Sequence, residues 1–427
     1  MNIIKYPSRE EWNTLLSRPH RDAAELAATV QTVLDKVRME GDAAVKEYEE
    51  QFDHVKLDTL AVSQAEIDEA VAMVSPELMG AIQLAHDNIY TFHASQKFTG
   101  EKVEVAPGVV CWQKSVPIER VGLYIPGGTA PLFSTVLMLA TPAKIAGCRE
   151  IVLCTPPNGE GKVNPAILAA AKIAGVSRIF KAGGVQAIGA MAYGTESVLK
   201  VDKIFGPGNQ FVMAAKQQVS LHDAAIDMPA GPSEVAVVAD DTANPVFVAA
   251  DLLSQAEHGR DSQVILITTS EAMAKRVNEE VHRQLELLPR KDLASASLQY
   301  SKLIIVHNVD EAVDMTNEYA PEHLILAVDN YLAFAERVVN AGSVFLGNYS
   351  CESAGDYASG TNHTLPTSGY AKAYSGVNLD SFCRKITFQE LTPQGVRTIG
   401  PAVELMAAAE QLDAHKNAMT VRLSSLS

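Results

Sequence analysis

Eleven histidines occur in the 427 residues, and four stand where a side chain could do chemistry. His258 lies in DLLSQAEHGR, Asp251 to Arg260, at the close of an apolar helical run that opens after Asn244-Pro245. Asparagine then proline is a helix start: the side chain caps free N–H groups and the ring has none to cap. Gly259 is a stop that can turn left-handed without steric cost. Gln255 and His258 therefore fall one turn apart on one face. A histidine at that place can also simply favour the negative helix end. His323 follows Glu322 in Pro321-Glu322-His323, an acid beside a base just ahead of LILAV. His363 closes ESAGDYASGTNH, a Gly/Ser-rich stretch that also holds Asp356, and His415 follows Glu410 near the C-terminus. The other seven histidines sit in ordinary helical or surface contexts.

Imidazole and carboxylate together suit zinc, so His258, His415 and Asp356 form a candidate ligand set. Donor chemistry alone favours Glu257 as the fourth ligand over Gln255, because a neutral amide is a poor donor. The spacing matches no closed structural zinc site, so any metal is expected to be catalytic, with an open position. Five cysteines (Cys111, Cys148, Cys154, Cys351 and Cys383) make an odd number with no CxxC pair. That points to a reducing compartment, and a cytoplasmic location is expected. Cys351, beside the Asp356 segment, has one alternative use as a reactive thiolate.

Three glycine-rich segments suit an anion such as pyrophosphate, each offering backbone N–H groups at a helix start. They are Tyr124-Ile-Pro-Gly127-Gly128-Thr-Ala-Pro131, Ala182-Gly183-Gly184-Val-Gln186 and Gly206-Pro207-Gly208-Asn209. None matches the G-x-G-x-x-G dinucleotide pattern. Asp227-Met-Pro-Ala-Gly-Pro-Ser233-Glu234 is a tight turn expected to expose Ser233 and Glu234 before a buried strand.

From Arg120 onward the chain alternates short β-branched runs with helical runs. VGLYIP, IVLC, RIF and VDKIF form one series; EVAVVA, QVILIT, LIIV, HLILAV and SVFLG form a second from Glu234. Such alternation predicts parallel sheets with helices on their faces, and ligands beyond the carboxyl ends of the strands. Two similar series suggest two related domains, although no residue-level repeat proves a duplication. Ahead of them, residues 1–18 are expected as a loosely held arm with a short helix. A helical run follows from Asp22 to about Glu40, then a polar connection with β character from Asp53 to Val62, then a helix over 75–97. The alternation stops at about Lys372, and Pro393 to Gln411 is an amphipathic helix in a separate C-terminal module.

Composition fits a soluble globular enzyme: 47% hydrophobic, 20% charged, net charge −16. The acidity argues against a nucleic-acid partner. No run is long enough to span a bilayer, and the N-terminus has no signal-peptide core.

IDMPAGPSEV continued through DLLSQAEH258 resembles the histidinol dehydrogenase family. VGLYIPGGTAPLFSTVLMLATPAKIAG, FGPGNQFV, PEHLIL, SAGDYASGTNH and AEQLDAHKNA are similar to it in the same order, across essentially the whole chain. The resemblance implies two incomplete Rossmann-like domains of aldehyde-dehydrogenase-like architecture, an N-terminal arm, and a C-terminal module that serves the partner of a homodimer. Its boundaries in this chain are expected at 1–18 for the arm, 19–120 plus 234–372 for the zinc and substrate domain, 121–233 for the NAD domain and 373–427 for the module. It implies Zn²⁺ on Gln255, His258, Asp356 and His415, which replaces Glu257 by Gln255. It implies Glu322 and His323 as the acid/base pair, and NAD contacts at Tyr124, Gln186 and Asn209. Substrate contacts would be Ser233, Gln255, His258, His323, Asp356, His363, Glu410 and His415. The implied reaction takes L-histidinol, two NAD⁺ and water to L-histidine and two NADH through a bound aldehyde. Two rivals stand beside it: a thiol-dependent aldehyde dehydrogenase, which needs a nucleophilic cysteine, and a zinc hydrolase or plain metal binder, which would reduce no NAD⁺.

Overall fold

The computed structural model describes residues 1–19, 23–127, 130–229 and 231–426. Asp22 (the expected start of the first helical run), Gly128 of the first glycine segment and Ala230 of the Pro/Gly turn lie outside them. In chain order the strands are β1 Asn2–Lys5, β2 Val103–Ala106, β3 Val109–Pro117, β4 Arg120–Tyr124, β5 Glu150–Thr155, β6 Arg178–Lys181 and β7 Lys203–Phe205. Then come β8 Ala225–Ile226, β9 Glu234–Ala239, β10 Gln263–Thr268, β11 Lys302–Ile305, β12 His323–Ala327, β13 Ser343–Leu346 and β14 Cys383–Leu391.

Two parallel sheets form. The first has order β6-β5-β4-β7-β8, the second β1-β11-β10-β9-β12-β13. Numbered within its own series, each sheet runs third, second, first, fourth, fifth, which is the doubly wound order less its sixth strand. The shared topology supports the reading of two related units where the residues alone could not. β1 adds a strand at the opposite edge of the second sheet, pairing in parallel with β11 from Asn2↔Lys302 to Lys5↔Ile305. The arm is therefore a bonded edge strand, followed by a short helix Trp12–Leu15, and not a loose extension.

β4, β5 and β9 to β12 are buried on both faces and carry mostly β-branched or leucine residues, as covered parallel strands require. Asn164, Asn209, Asn244 and Asn308 cap the helices that follow β5, β7, β9 and β11, each side chain accepting a backbone N–H.

One boundary needs correction. Residues 19–120 were expected to belong with 234–372. Val30, Leu34 and Val37 of the helix Ala23–Glu40 instead pack with Tyr124, Val152 and Ile188 in the first unit. Ile82 and Ile89 of the helix Pro76–Ala94 join Val121, Leu137 and Leu153 there as well. These helices cover the faces of the first sheet, which its own crossover helices leave partly open.

A third, antiparallel sheet, β14-β3-β2, had no counterpart in the sequence reading. It joins Val109–Pro117 to Cys383–Leu391 in nine-residue register. The helix Pro393–Ala409 packs on this sheet and on the helix Asp413–Ser424. No helix among the described residues is long and apolar enough to cross a membrane.

Candidate active site

The second sheet presents the amino ends of its central strands. Glu234 opens β9 and His323 opens β12, and these strands are hydrogen-bonded neighbours. The helix Pro245–Ala256 leaves β9, crosses the sheet and returns to that edge, so it delivers Gln255 there in its last turn. Gln255 is buried; its Nε2 donates to Glu322 Oε2 at 3.4 Å and stands 3.2 Å from His323 Nδ1. Glu322 Oε2 also accepts the Glu234 N–H at 2.9 Å. His258, beyond the helix end, is exposed, so one turn of chain carries Gln255 inward and His258 to the mouth.

The short helix Glu352–Tyr357 supplies the opposing wall. His323 Nε2 stands 3.4 Å from Asp356 Oδ1, and His323 Nδ1 is 3.6 Å from Glu322 Oε2. One ligand atom from each of His258, Glu352 and Asp356 lies within 4.8 Å of the others. Burial opposes charge on His323, yet Glu322, Glu352 and Asp356 together hold its pKa well above the usual imidazole range. Burial pushes the Glu352 carboxyl up to about 8, and that of Asp251, one turn before Gln255, up to about 7. Asp356 goes the other way: burial would raise it, but His323, His363 and His258 hold it low.

His363 ties this wall to the first unit. Its Nδ1 meets the Asp356 carbonyl at 2.9 Å and its Nε2 meets Thr135 Oγ1 at 3.1 Å, on the helix Phe133–Ala146. Burial lowers its pKa. Next to it, Asn362 donates to the Met138 carbonyl at 2.6 Å. The loop between β13 and the third sheet thus closes the cleft between the two units.

Two sequence expectations change here. Glu234 is not exposed by its turn; it is buried, with Arg18 Nε at 2.5 Å from one carboxylate oxygen and another guanidinium nitrogen at 3.0 Å from the other. Burial pushes its carboxyl up while Arg18 opposes the shift. Glu257 caps the helix end and is absent from the His258 cluster; the carboxylate that joins His258 and Asp356 is Glu352. Glu410 and His415 are exposed in the C-terminal module, and His415 does not enter that cluster within its own chain. Ser233, half-buried, precedes β9 at the same edge as Glu234.

On the first sheet the carboxyl end of β4 leads into the helix Phe133–Ala146, whose Thr135 meets His363. Tyr124 ends β4 and Gly206 follows β7, at the point where the strand order reverses. A β-carbon on Gly206 (φ +126°) would stand 2.1 Å from the Tyr124 carbonyl, so only glycine lets the two strand ends approach. The glycine segments were expected to offer free N–H groups, and two are already engaged. Gly183 N–H donates to Glu49 and Gly184 N–H to the Tyr124 hydroxyl. Gly206 N–H donates to Asp227, and the Asn209 side chain accepts from Phe211 and Val212. The helix Phe133–Ala146, after the first segment, has no side-chain cap.

The donor set fits a cation. Gln255 Oε1, His323 Nε2 and Asp356 Oδ1 are buried without a hydrogen-bond partner, and Asp356 converges with His258 and Glu352. Buried polar atoms without partners are costly, and a metal would satisfy them. Cys148 and Cys154 are buried, and burial pushes the Cys148 thiol up to about 12 and that of Cys154 further. Cys351 precedes the helix Glu352–Tyr357 at its N-cap without capping it.

Two parallel sheets of doubly wound order, one carrying a buried acid–base cluster at its strand edge, define an α/β protein of Rossmann-like architecture. The family model for histidinol dehydrogenase matches residues 16–423. The chain belongs to the histidinol dehydrogenase family. Over 426 residues it is 69% identical to the histidinol dehydrogenase of Bacteroides thetaiotaomicron, with 100% of both chains covered. It is 52% identical to that of Yersinia pestis, covering 98% of this chain and 94% of the relative. The crystal structure of histidinol dehydrogenase from Elizabethkingia anophelis superposes with a TM-score of 0.98 at 56% identity, covering 100% of this chain and 98% of the other.

Proposed function

We propose that this chain oxidises L-histidinol to L-histidine in two successive hydride transfers to NAD⁺, through a bound aldehyde. The observation that carries the reading is the buried convergence of Gln255, Glu322, His323 and Asp356 in a chain of this family.

Gln255, His258 and Asp356 would hold zinc, with Glu352 beside them. Bound there, zinc would polarise and orient a substrate whose imidazole and amine are both metal ligands. NAD⁺ supplies the hydride acceptor, with Tyr124, Gln186 and Asn209 as its contacts.

In the first half-reaction the alcohol loses a proton as its carbon loses hydride. His323 accepts that proton in its neutral form; its Nε2 lies 3.4 Å from Asp356 Oδ1. Glu322 and Asp356 flank the ring and stabilise the imidazolium that results. In the second half-reaction a water must add to the aldehyde before another hydride can leave. Glu322 takes the water proton, its Oε2 fixed by the Glu234 N–H and Gln255. His363, held by Asp356 and Thr135, lines the substrate side with Ser233.

His415 and Glu410 come from the partner subunit in this reading. The module that carries them leaves Leu405, Met406, Leu412 and Val421 exposed. Apolar surface of that kind needs a cover, and a second copy provides one. The test is NADH formation from L-histidinol, with and without a chelator. Reduction that the chelator abolishes and zinc restores supports the reading; absence of reduction in the metal-loaded protein refutes it.

A further inference from the structure

We propose that Glu49 is a positioning residue for the dinucleotide, setting the Gln186 amide so that its carbonyl oxygen is the atom offered to the ligand. The inference rests on the reading of Gln186 as a dinucleotide contact.

Glu49 lies on the helix Asp42–Phe52, outside both α/β series, and is fully buried. Its Oε1 accepts two donors: the Gly183 N–H at 2.9 Å and Gln186 Nε2 at 2.9 Å. An amide has one donor end and one acceptor end, so a carboxylate at the nitrogen fixes which way the other end points. Gln186 Oε1 is the end left over, buried and without a partner. It lies where a β-carbon on Gly184 would stand, 2.9 Å away, so Gly184 (φ +53°) must lack a side chain for the amide to hold this pose. Gly184 N–H in turn fixes the Tyr124 hydroxyl at 3.1 Å. Glu49 therefore organises both expected contacts on this side of the switch point.

The same arrangement explains why the glycine turn is not a free anion site. Glu49 already places a carboxyl at the start of the ten-residue helix Gly184–Tyr193. Burial, with Asp53 beside it, pushes that carboxyl up to about 7, although Gly183 and Gln186 favour its ionised form. Oε1 can accept hydrogen bonds in either protonation state. The ligand group that Gln186 meets is thus a donor, an amide N–H or a sugar hydroxyl, and not a phosphate oxygen.

The experiment compares Glu49→Met, which keeps volume and removes the acceptor, with Glu49→Gln, which keeps an acceptor oxygen. Gln186→Ala and the Glu49→Met/Gln186→Ala double variant complete the cycle. NADH binding is followed by fluorescence titration of the metal-loaded protein, alongside KM for NAD⁺ and kcat. Glu49→Met is expected to weaken NADH binding five- to tenfold, about the loss of one oriented hydrogen bond. KM for NAD⁺ should rise by more than kcat falls. Glu49→Gln should recover most of the affinity, and the double variant should bind no more weakly than Gln186→Ala. If Glu49→Met does not fold, Glu49→Asp, which withdraws the acceptor by one methylene, takes its place with the same expectation. Parental affinity in the Glu49 variant alongside weakened Gln186→Ala, or fully additive losses, overturns the positioning role. Parental affinity in Gln186→Ala overturns the dinucleotide reading of Gln186 and the inference with it.

Discussion

At the residue scale, the proposed reading places both a cation site and a proton-transfer pair at one edge of the second sheet, and single substitutions should separate them. His258 is exposed at the mouth of the cluster and contributes no core packing. His258→Asn should therefore lose bound metal and activity together while its thermal midpoint stays near the parent's, metal content being read by atomic spectroscopy. Glu322→Gln should slow oxidation of histidinaldehyde more than that of histidinol, because only the aldehyde needs an activated water. Loss of a general base typically costs about 10²–10⁴-fold. Equal losses on the two substrates would remove the divided role. Residue types and local spacing singled out His258, Glu322, His323, Asp356 and His363, whereas Gln255 displaced Glu257 only through the family resemblance. Glu352 and Glu49 carried no such mark. A glutamate in a helix is ordinarily a solvated side chain, and only tertiary packing shows that these two are buried and near other charges.

At the element scale, the strand–helix alternation was visible because buried parallel strands are continuous apolar runs. β1 and β14 were not, since their partners lie far off in sequence and their exposed strands lack a full apolar face. The N-terminal arm matters to the site through one contact. Arg18 neutralises Glu234, stacks on the Tyr319 ring at 4.1 Å and donates to the Tyr319 carbonyl at 2.7 Å. Arg18→Met leaves the Glu234 carboxylate buried without its cation, which should cost about 3–5 kcal/mol in urea unfolding. A loss within experimental error would show that the pair is not a stabilising link between arm and sheet.

The helix Asp42–Phe52 makes stability depend on pH. Glu49 has a raised folded-state pKa, so its contribution is complete below the ordinary carboxyl value of 4.5 and is lost as pH rises through about 7. Asp53, His54, Tyr124 and Cys154 are the other titratable groups that face this pair. Glu49→Gln cannot ionise. Relative to that variant, the parent should lose up to roughly 3 kcal/mol between pH 5 and 8, following from about 1.4 kcal/mol per pKa unit. Parallel stability–pH curves for the two proteins would show that Glu49 does not titrate in this range.

At the scale of the whole molecule, one chain folds two sheets and ties them together where Thr135, beyond β4, meets His363. The first sheet carries Tyr124 and Gly206 at its carboxyl edge, the second Glu234 and His323 at its amino edge. The cleft is nevertheless incomplete within one chain if His415 is a ligand, because the module holding it packs on the third sheet and leaves His415 in solvent. The prediction is a site shared between subunits. His258→Ala and His415→Ala homodimers should each be inactive, because every site in them lacks one ligand. A mixed dimer of the two has one site with both lesions and one site with neither. Dissociating the two inactive proteins and reassociating them together should then restore activity, to at most half of the parental value per mixed dimer. Mixed dimers verified by two affinity tags and still inactive would place His415 on its own chain's site. The module would then have to swing across from the third sheet, and the dimer would no longer be needed to complete the chemistry.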